Sequence, residues 1–144
     1  MAQVTAVAEA TVPAAPAEVR AALADYVETR PAIQPEQYTD YAVLEGGTGA
    51  GTVATWRLHA TKKRVRHVVA DVTVGEDSVT EKDRNSTLVT VFRVTPQGSG
   101  STVVATTTWQ GAGGIGGFFE RTFAPKGLGR IHTELLQNLA ARLG

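Results

Sequence analysis

Residues 102–143 read TVVATTTWQ, then GAGGIGGFFERTFAPKGLG, then RIHTELLQNLAARL, and this passage decides the fold. In the first segment Val103, Ala105, Thr107 and Trp109 fall on one face, the alternation of a half-buried strand. In the last, Leu128, Ile131, Leu135, Leu139 and Leu143 recur every three or four residues, the apolar stripe of an amphipathic helix. Between them, the glycines of Gly111–Gly117 disfavour helix, and Pro125, Gly127 and Gly129 make the final helix either broken or late in starting. Its secure part, Leu128–Leu143, is about 24 Å long at 1.5 Å per residue. A nine-residue strand reaches about 30 Å. One helix can therefore lie across most of a sheet.

The sheet is supplied upstream. Thr87–Thr95, Val79–Asp83, Arg64–Val74, Thr52–Thr61 and Tyr38–Glu45 read as strands, separated by Lys62–Arg64 and by turn signals such as GEDS (75–78) and GGTGAG (46–51). PQGSGS (96–101) is the turn before Thr102–Gln110. Strands joined this tightly pair antiparallel, because a parallel pair needs a crossover of a dozen residues. At the other end QVTAVAEATV (3–12) places Val4, Ala6, Ala8, Ala10 and Val12 on one face of a strand. Pro16 then opens PAEVRAALADY, a short helix running to about Tyr26, and Pro31 and Pro35 bracket a second helical turn around Ala32–Ile33. The expected fold is α+β: a curved antiparallel sheet of about seven strands wrapped around a long C-terminal helix, with two short helices after the first strand, in a single domain over residues 1–144. A strongly curved sheet cannot touch a straight helix along its whole width. The alanines of the first strand are too small to fill the gap, which predicts an internal hollow.

Composition narrows what that hollow is for. Hydrophobic residues make up 42% of the 144 and charged ones 19%, enough for a core. Lys+Arg and Asp+Glu both total 14, and this balance argues against a nucleic-acid partner. With no cysteine, disulfides, zinc-thiolate sites and thiol nucleophiles are excluded. The absence of a long apolar run or a charged-then-apolar leader predicts a cytoplasmic protein without integral membrane association.

The strand followed by VPAAPAEVRAALAD (12–25), then RPAIQPEQYTDYAVLEGGTGAGT (30–52), GSGSTVVATTTWQG (98–111) and LLQNLAARLG (135–144), resembles the START-like (SRPBCC, helix-grip) superfamily, especially its bacterial polyketide cyclase/dehydratase-like branch. The resemblance implies a hydrophobic or amphipathic small molecule, of lipid, isoprenoid or polyketide class, bound between sheet and C-terminal helix without a cofactor. It also implies two alternatives: a polyketide cyclase/dehydratase-type enzyme, or a structural or protein-interaction domain with a filled core. The family shares no catalytic residue, so none is transferred.

Candidate residues follow from strand parity. Trp56 groups with Ala54 and Leu58, Phe92 with Leu88, Thr90 and Val94, and Trp109 with Val103 and Ala105, each on the more apolar face. Together with Phe119 before the last helix, these aromatics are the expected ligand-binding walls, Trp56 and Trp109 foremost, with filling of the core by the same residues as the alternative; Phe123 and Leu135 are assigned to the core. Arg66 shares the face of Val68, Ala70 and Val72, where a guanidinium can anchor a carboxylate or polarise a carbonyl. His132, beside Ile131, reads as a plain helix-flank histidine, with a place at the border of the cavity as the alternative, whereas His59 and His67 face outward. The three histidines have no metal-ligand spacing, so no metal is expected. GGTGAG leads into a strand with no lysine to follow, so it reads as a hairpin turn and not a phosphate loop. GAGGIGG reads as a connector, with a gate over the cavity as the alternative. No G-x-S-x-G elbow occurs, and Ser78, Ser86, Ser99 and Ser101 fall in or beside turns. Glu81 and Asp83 alternate with Lys82 and Arg84 and read as an ordinary charged strand, which leaves Tyr26, Tyr38, Arg66 and His132 as the acid–base candidates.

Overall fold

A computed structural model describes residues 3–59, 65–110 and 125–144. The described chain runs β1 (Gln3–Val12), α1 (Pro16–Leu23), α2 (Thr29–Ile33), β2 (Tyr38–Glu45), β3 (Val53–His59), β4 (Val65–Val74), β5 (Ser78–Asp83), β6 (Val89–Gln97), β7 (Gly100–Gln110) and α3 (Pro125–Leu143). Seven strands form one antiparallel sheet in the order β1-β7-β6-β5-β4-β3-β2. This is the helix-grip arrangement expected from the sequence. Every neighbouring pair from β2 to β7 is consecutive in the chain, as short connections require. The first strand closes the order by pairing with the last, Gln3 opposite Gln110 through Val12 opposite Ser101.

Strand phase follows the alternation of small and apolar side chains. Ala6, Ala8 and Val12 of β1 and Val103, Ala105, Thr107 and Trp109 of β7 are all buried. The β6–β7 connection is tighter than PQGSGS suggests: Gln97 pairs with Gly100, and only Gly98 and Ser99 make the turn. Gly98 takes φ 58°, the left-handed region that a two-residue hairpin requires. Pro96 is tolerated in β6 because β5 pairs only as far as Arg93, so no ladder bond to β5 is lost. The GGTGAG segment is a loop between β2 and β3. Its Gly47 carbonyl accepts the Tyr26 amide at 2.9 Å and its Gly49 amide donates to Ala24 O at 3.0 Å, so it fastens the end of α1 to the sheet.

Helix α3 starts at Pro125, with Leu128, Ile131, Leu135, Leu136 and Leu139 on its buried face. It packs chiefly on β1, and Asn138 Nδ2 donates to Ile33 O at 3.0 Å, tying it to α2. The hollow expected from the sequence is present, but its described wall does not include the alanines of β1; there helix and strand approach closely, and a Cβ added at Gly129 would stand 3.4 Å from the Val7 carbonyl oxygen. The alanine face of β1 is thus covered, and the cavity lies further across the sheet. Residues 111–124 fall outside the described residues, and with them the GAGGIGG segment and Phe118, Phe119 and Phe123; so does the turn at Lys62–Arg64.

Leu135 has no exposed surface and sits at the centre of the α3 stripe. Leu135→Ala is expected to lower the unfolding free energy by about 2–5 kcal/mol. Gln137→Ala, on the exposed face of the same helix, should stay within about 0.5 kcal/mol. Urea denaturation followed by circular dichroism measures both.

Candidate functional site

The cavity opens where β3, β4, β5 and β6 face the start of α3. Its walls include Trp56, Leu58, Val68, Ala70, Leu88 and Leu128, and its polar positions are Tyr38, Glu81, Asp83, Thr90, Thr107 and His132. About 350 Å³ is unoccupied by atoms, part of it continuous with solvent, and a water-sized sphere can centre in about 20 Å³ of it. The interior is therefore closely packed around a narrow cavity with both apolar and polar lining residues.

The aromatic corner is built by a strand irregularity. Tyr38 and Tyr41 differ by three residues, so in a regular strand they would point to opposite faces. The β2–β3 register shifts between Thr39 and Ala42, and the bulge turns both rings onto Trp56. Tyr41 stacks on the indole at 6.2 Å and Tyr38 tilts against it at 5.9 Å.

The polar part of the lining holds the residues that the sequence reading missed. Strand β5 is not an ordinary charged strand. Val79, Glu81 and Asp83 share one parity, Val79 is fully buried, and it carries both carboxylates inward with it, to 8% and 3% exposure. Parity with Val79 was the available signal. Such carboxylates need partners, since a buried unpaired charge costs several kcal/mol, on the order of the whole stability margin. Glu81 finds Arg30, which is 2% exposed and comes from α2. The Arg30 Nη1 to Glu81 Oε2 distance is 2.7 Å. Tyr26 donates its hydroxyl to the same oxygen at 2.5 Å, and Arg30 Nη1 also reaches Tyr26 Oη at 2.7 Å and Leu23 O at 3.1 Å. The guanidinium lies over the Tyr26 and Phe92 rings, 4.6 and 5.0 Å from their centroids. Burial alone would lower the Arg30 pKa, but Glu81 and Tyr26 outweigh it and hold the group charged. Burial pushes the Tyr26 phenol well above its ordinary value, so it remains a donor.

Asp83 serves a different purpose. Its Oδ1 accepts the amides of Val69 and Asn85 at 3.0 Å each, and its Oδ2 accepts the Ser86 hydroxyl at 2.7 Å. Arg66 Nη1 stands 3.6 Å from Oδ2. Asp83 is a structural clasp for the β5–β6 turn, and Arg66 is its counter-ion. Burial lowers the Arg66 pKa and Asp83 opposes the shift.

Glu81 Oε1, in contrast, has no hydrogen bond among the described residues, and Glu81 lines the cavity. Across from it, Thr90 and Thr107 share a hydroxyl bond of 2.8 Å, and Thr107 Oγ1 lies 3.3 Å from His132 Nδ1. Burial drives the His132 pKa down to about 4, helped by Arg30 and opposed by Glu81, so the imidazole is neutral at pH 7.

Of the residues singled out from the sequence, the cavity wall brings together Trp56 and His132. Phe92 and Trp109 are buried in the core and do not figure on the described wall; Phe92 instead backs Arg30 and meets His132 edge-on at 6.2 Å. Arg66 is on the inward face, engaged with Asp83. Phe119 lies outside the described residues. Tyr38 lines the cavity, and its phenol is raised by burial and by Glu81 against the pull of Arg30. His59 and His67 face outward, on Thr39 and Thr55. Among the described residues no group of His, Asp or Glu is arranged to hold a metal ion, and no helix is long and apolar enough to cross a membrane.

A helix-grip sheet with an inward cavity of this kind defines a class, and comparison places the chain within it. The chain belongs to the family described as polyketide cyclase / dehydrase and lipid transport, whose model matches residues 1–144. The KanY protein (ms6282), known from an NMR solution structure, is 55% identical, with 99% of each chain covered and a TM-score of 0.91. TTHA0849 from Thermus thermophilus shares the fold at 20% identity, with 97% of each chain covered and a TM-score of 0.77. The major latex-like protein 151 of Panax ginseng does so at 14% identity, covering 98% of this chain and 97% of that one, with a TM-score of 0.74. No curated protein matches the chain.

Two outcomes follow. Arg30→Met leaves Glu81 buried without its counter-ion and is expected to cost about 3–5 kcal/mol in urea denaturation, whereas the double variant Arg30→Met/Glu81→Leu should regain at least half of that. The His132 shift gives a pH signature. Its folded pKa lies below the unfolded value of 6.5, so between about pH 6.5 and 4 the unfolded chain binds the extra proton. Stability contributed by neutral His132 is complete above pH 6.5 and is lost as pH falls through that window, by roughly 3 kcal/mol in full. His132→Gln should flatten the curve of unfolding free energy between about pH 6.5 and 4.5; parallel curves for both proteins would contradict the assignment.

Proposed function

We propose that the protein binds a small, mainly hydrophobic molecule, of the lipid, isoprenoid or polyketide class, in the cavity between the sheet and the start of α3. The observation that supports this is the wall itself: Trp56, Leu58, Val68, Ala70, Leu88 and Leu128 converge on space that the packed helix does not fill, with polar groups set among them. Apolar burial, at about 25 cal/mol per Å² before the costs of association, supplies the affinity, and the polar groups set orientation. The narrowness of the cavity favours a compact guest, such as one or two fused rings. The family description, which joins enzymes to lipid transport, agrees with this reading.

A second reading, a cyclase or dehydratase acting on a polyketide-like substrate, is favoured by a specific observation. Glu81 and His132 both stand on the cavity wall, a carboxylate and a neutral imidazole in a water-poor site, which is the equipment of a general acid–base pair. Product formation from a poly-β-keto substrate that is lost in Glu81→Gln would support it; release of the substrate unchanged keeps the protein a binder.

The binding reading is tested by filling the cavity. Ala70 is buried on its wall. Ala70→Leu should weaken binding of 2-naphthol about tenfold or more in an NMR titration, while the backbone spectrum remains that of a folded protein. Equal binding by the variant would place the guest elsewhere.

A further inference from the structure

The polar part of the cavity lining is electrically balanced before any guest arrives. Glu81 is matched by Arg30 at 2.7 Å and Asp83 by Arg66 at 3.6 Å. Among the described residues the fold thus supplies two carboxylates and two guanidiniums there, and each charge already has its opposite. A guest bringing a carboxylate would add a third anion beside Glu81, and no spare cation lines the cavity among the described residues. A guest bringing an ammonium would meet a carboxylate that Arg30 has already neutralised. Either charge would be desolvated without net compensation, the situation that a buried site disfavours most strongly.

Hydrogen-bonding capacity, unlike charge, is left over. Tyr26 and Arg30 both bind Oε2 of Glu81. Oε1 carries no hydrogen bond among the described residues and belongs to a wall residue of the cavity. Asp83 offers no such opening, because the amides of Val69 and Asn85, the Ser86 hydroxyl and Arg66 occupy both of its oxygens. One oxygen of a cavity-wall carboxylate therefore has no partner among the described residues, and such an acceptor wants a donor.

Resting on the binding function proposed above, we infer that this site selects neutral guests that carry a hydroxyl donor, an alcohol or a phenol, which bonds to Glu81 Oε1, and that it rejects carboxylates and amines of the same shape. Arg66, the guanidinium singled out in the sequence as an anchor for a carboxylate, is on this account a counter-ion to Asp83 and not a receptor for the guest. His132, neutral at pH 7, adds no charge that would alter the balance.

Four probes with one apolar body separate the possibilities: 2-naphthol, 2-methoxynaphthalene, 2-naphthoate and 2-naphthylmethylammonium, titrated into the intact protein at pH 7 and followed by amide chemical shifts. The inference requires 2-naphthol to bind about tenfold or more tightly than each of the other three. The methyl ether isolates the donor, and the two ions isolate the charge. Naphthoate or the ammonium binding as well as naphthol, or the ether equalling it, overturns the selectivity while leaving the binding function intact. No binding by any of the four overturns both. Glu81→Gln removes the anion and frees Arg30, so in that variant naphthoate should gain about fivefold or more and the advantage of naphthol should shrink. If that variant does not fold, the four-probe series on the natural protein decides alone.

Discussion

The buried pair between Arg30 and Glu81 is the constraint on which the rest of the interior depends. A carboxylate at 8% exposure and a guanidinium at 2% are each untenable alone, and each comes from a different part of the chain, α2 and β5. Their pairing fixes the short helices against the middle of the sheet. It also shapes the cavity wall: Arg30 takes one oxygen of Glu81, Tyr26 secures it, and the other oxygen of this wall residue has no partner among the described residues. Replacing the pair by hydrocarbon would be tolerable for stability on general grounds.

The same economy of partners separates the two carboxylates of β5. Two residues apart on one face, they have opposite fates because of the backbone around them. Asp83 ends its strand and is saturated by the amides and hydroxyl of the turn that follows. Glu81, in mid-strand, has no local amide to accept and must reach for side chains. One carboxylate holds the fold and the other addresses the interior, although the two groups are chemically alike.

Much of the architecture was legible in the sequence because it depends on periodicity. The alternation in β1 and β7, the stripe of α3 and the turn signals between strands specify element type and order, and topology then follows from short connections. The site was legible only in part. Trp56 and His132 could be placed by parity and by helix flank. Arg30 could not: it lies in a helix of five residues, interrupted by Pro31, too short for a periodic pattern to assign a face. Glu81 escapes notice because Lys82 and Arg84 mask the inward phase that Val79 sets. The location of the hollow was not legible for a different reason. Small side chains permit close approach as readily as they leave space, and only the position of α3 against β1 shows which happened.

The central claim is that a guest occupies the space bounded by β3, β4, β6 and the start of α3, with its polar head toward β5. Intermolecular NOEs between methyl-labelled protein and bound 2-naphthol address it directly. The account predicts contacts from the aromatic protons to the methyls of Leu58, Val68, Leu88 and Leu128. Contacts confined to exposed methyls such as those of Val7, Leu44 or Val74, with none to that inner set, would contradict it.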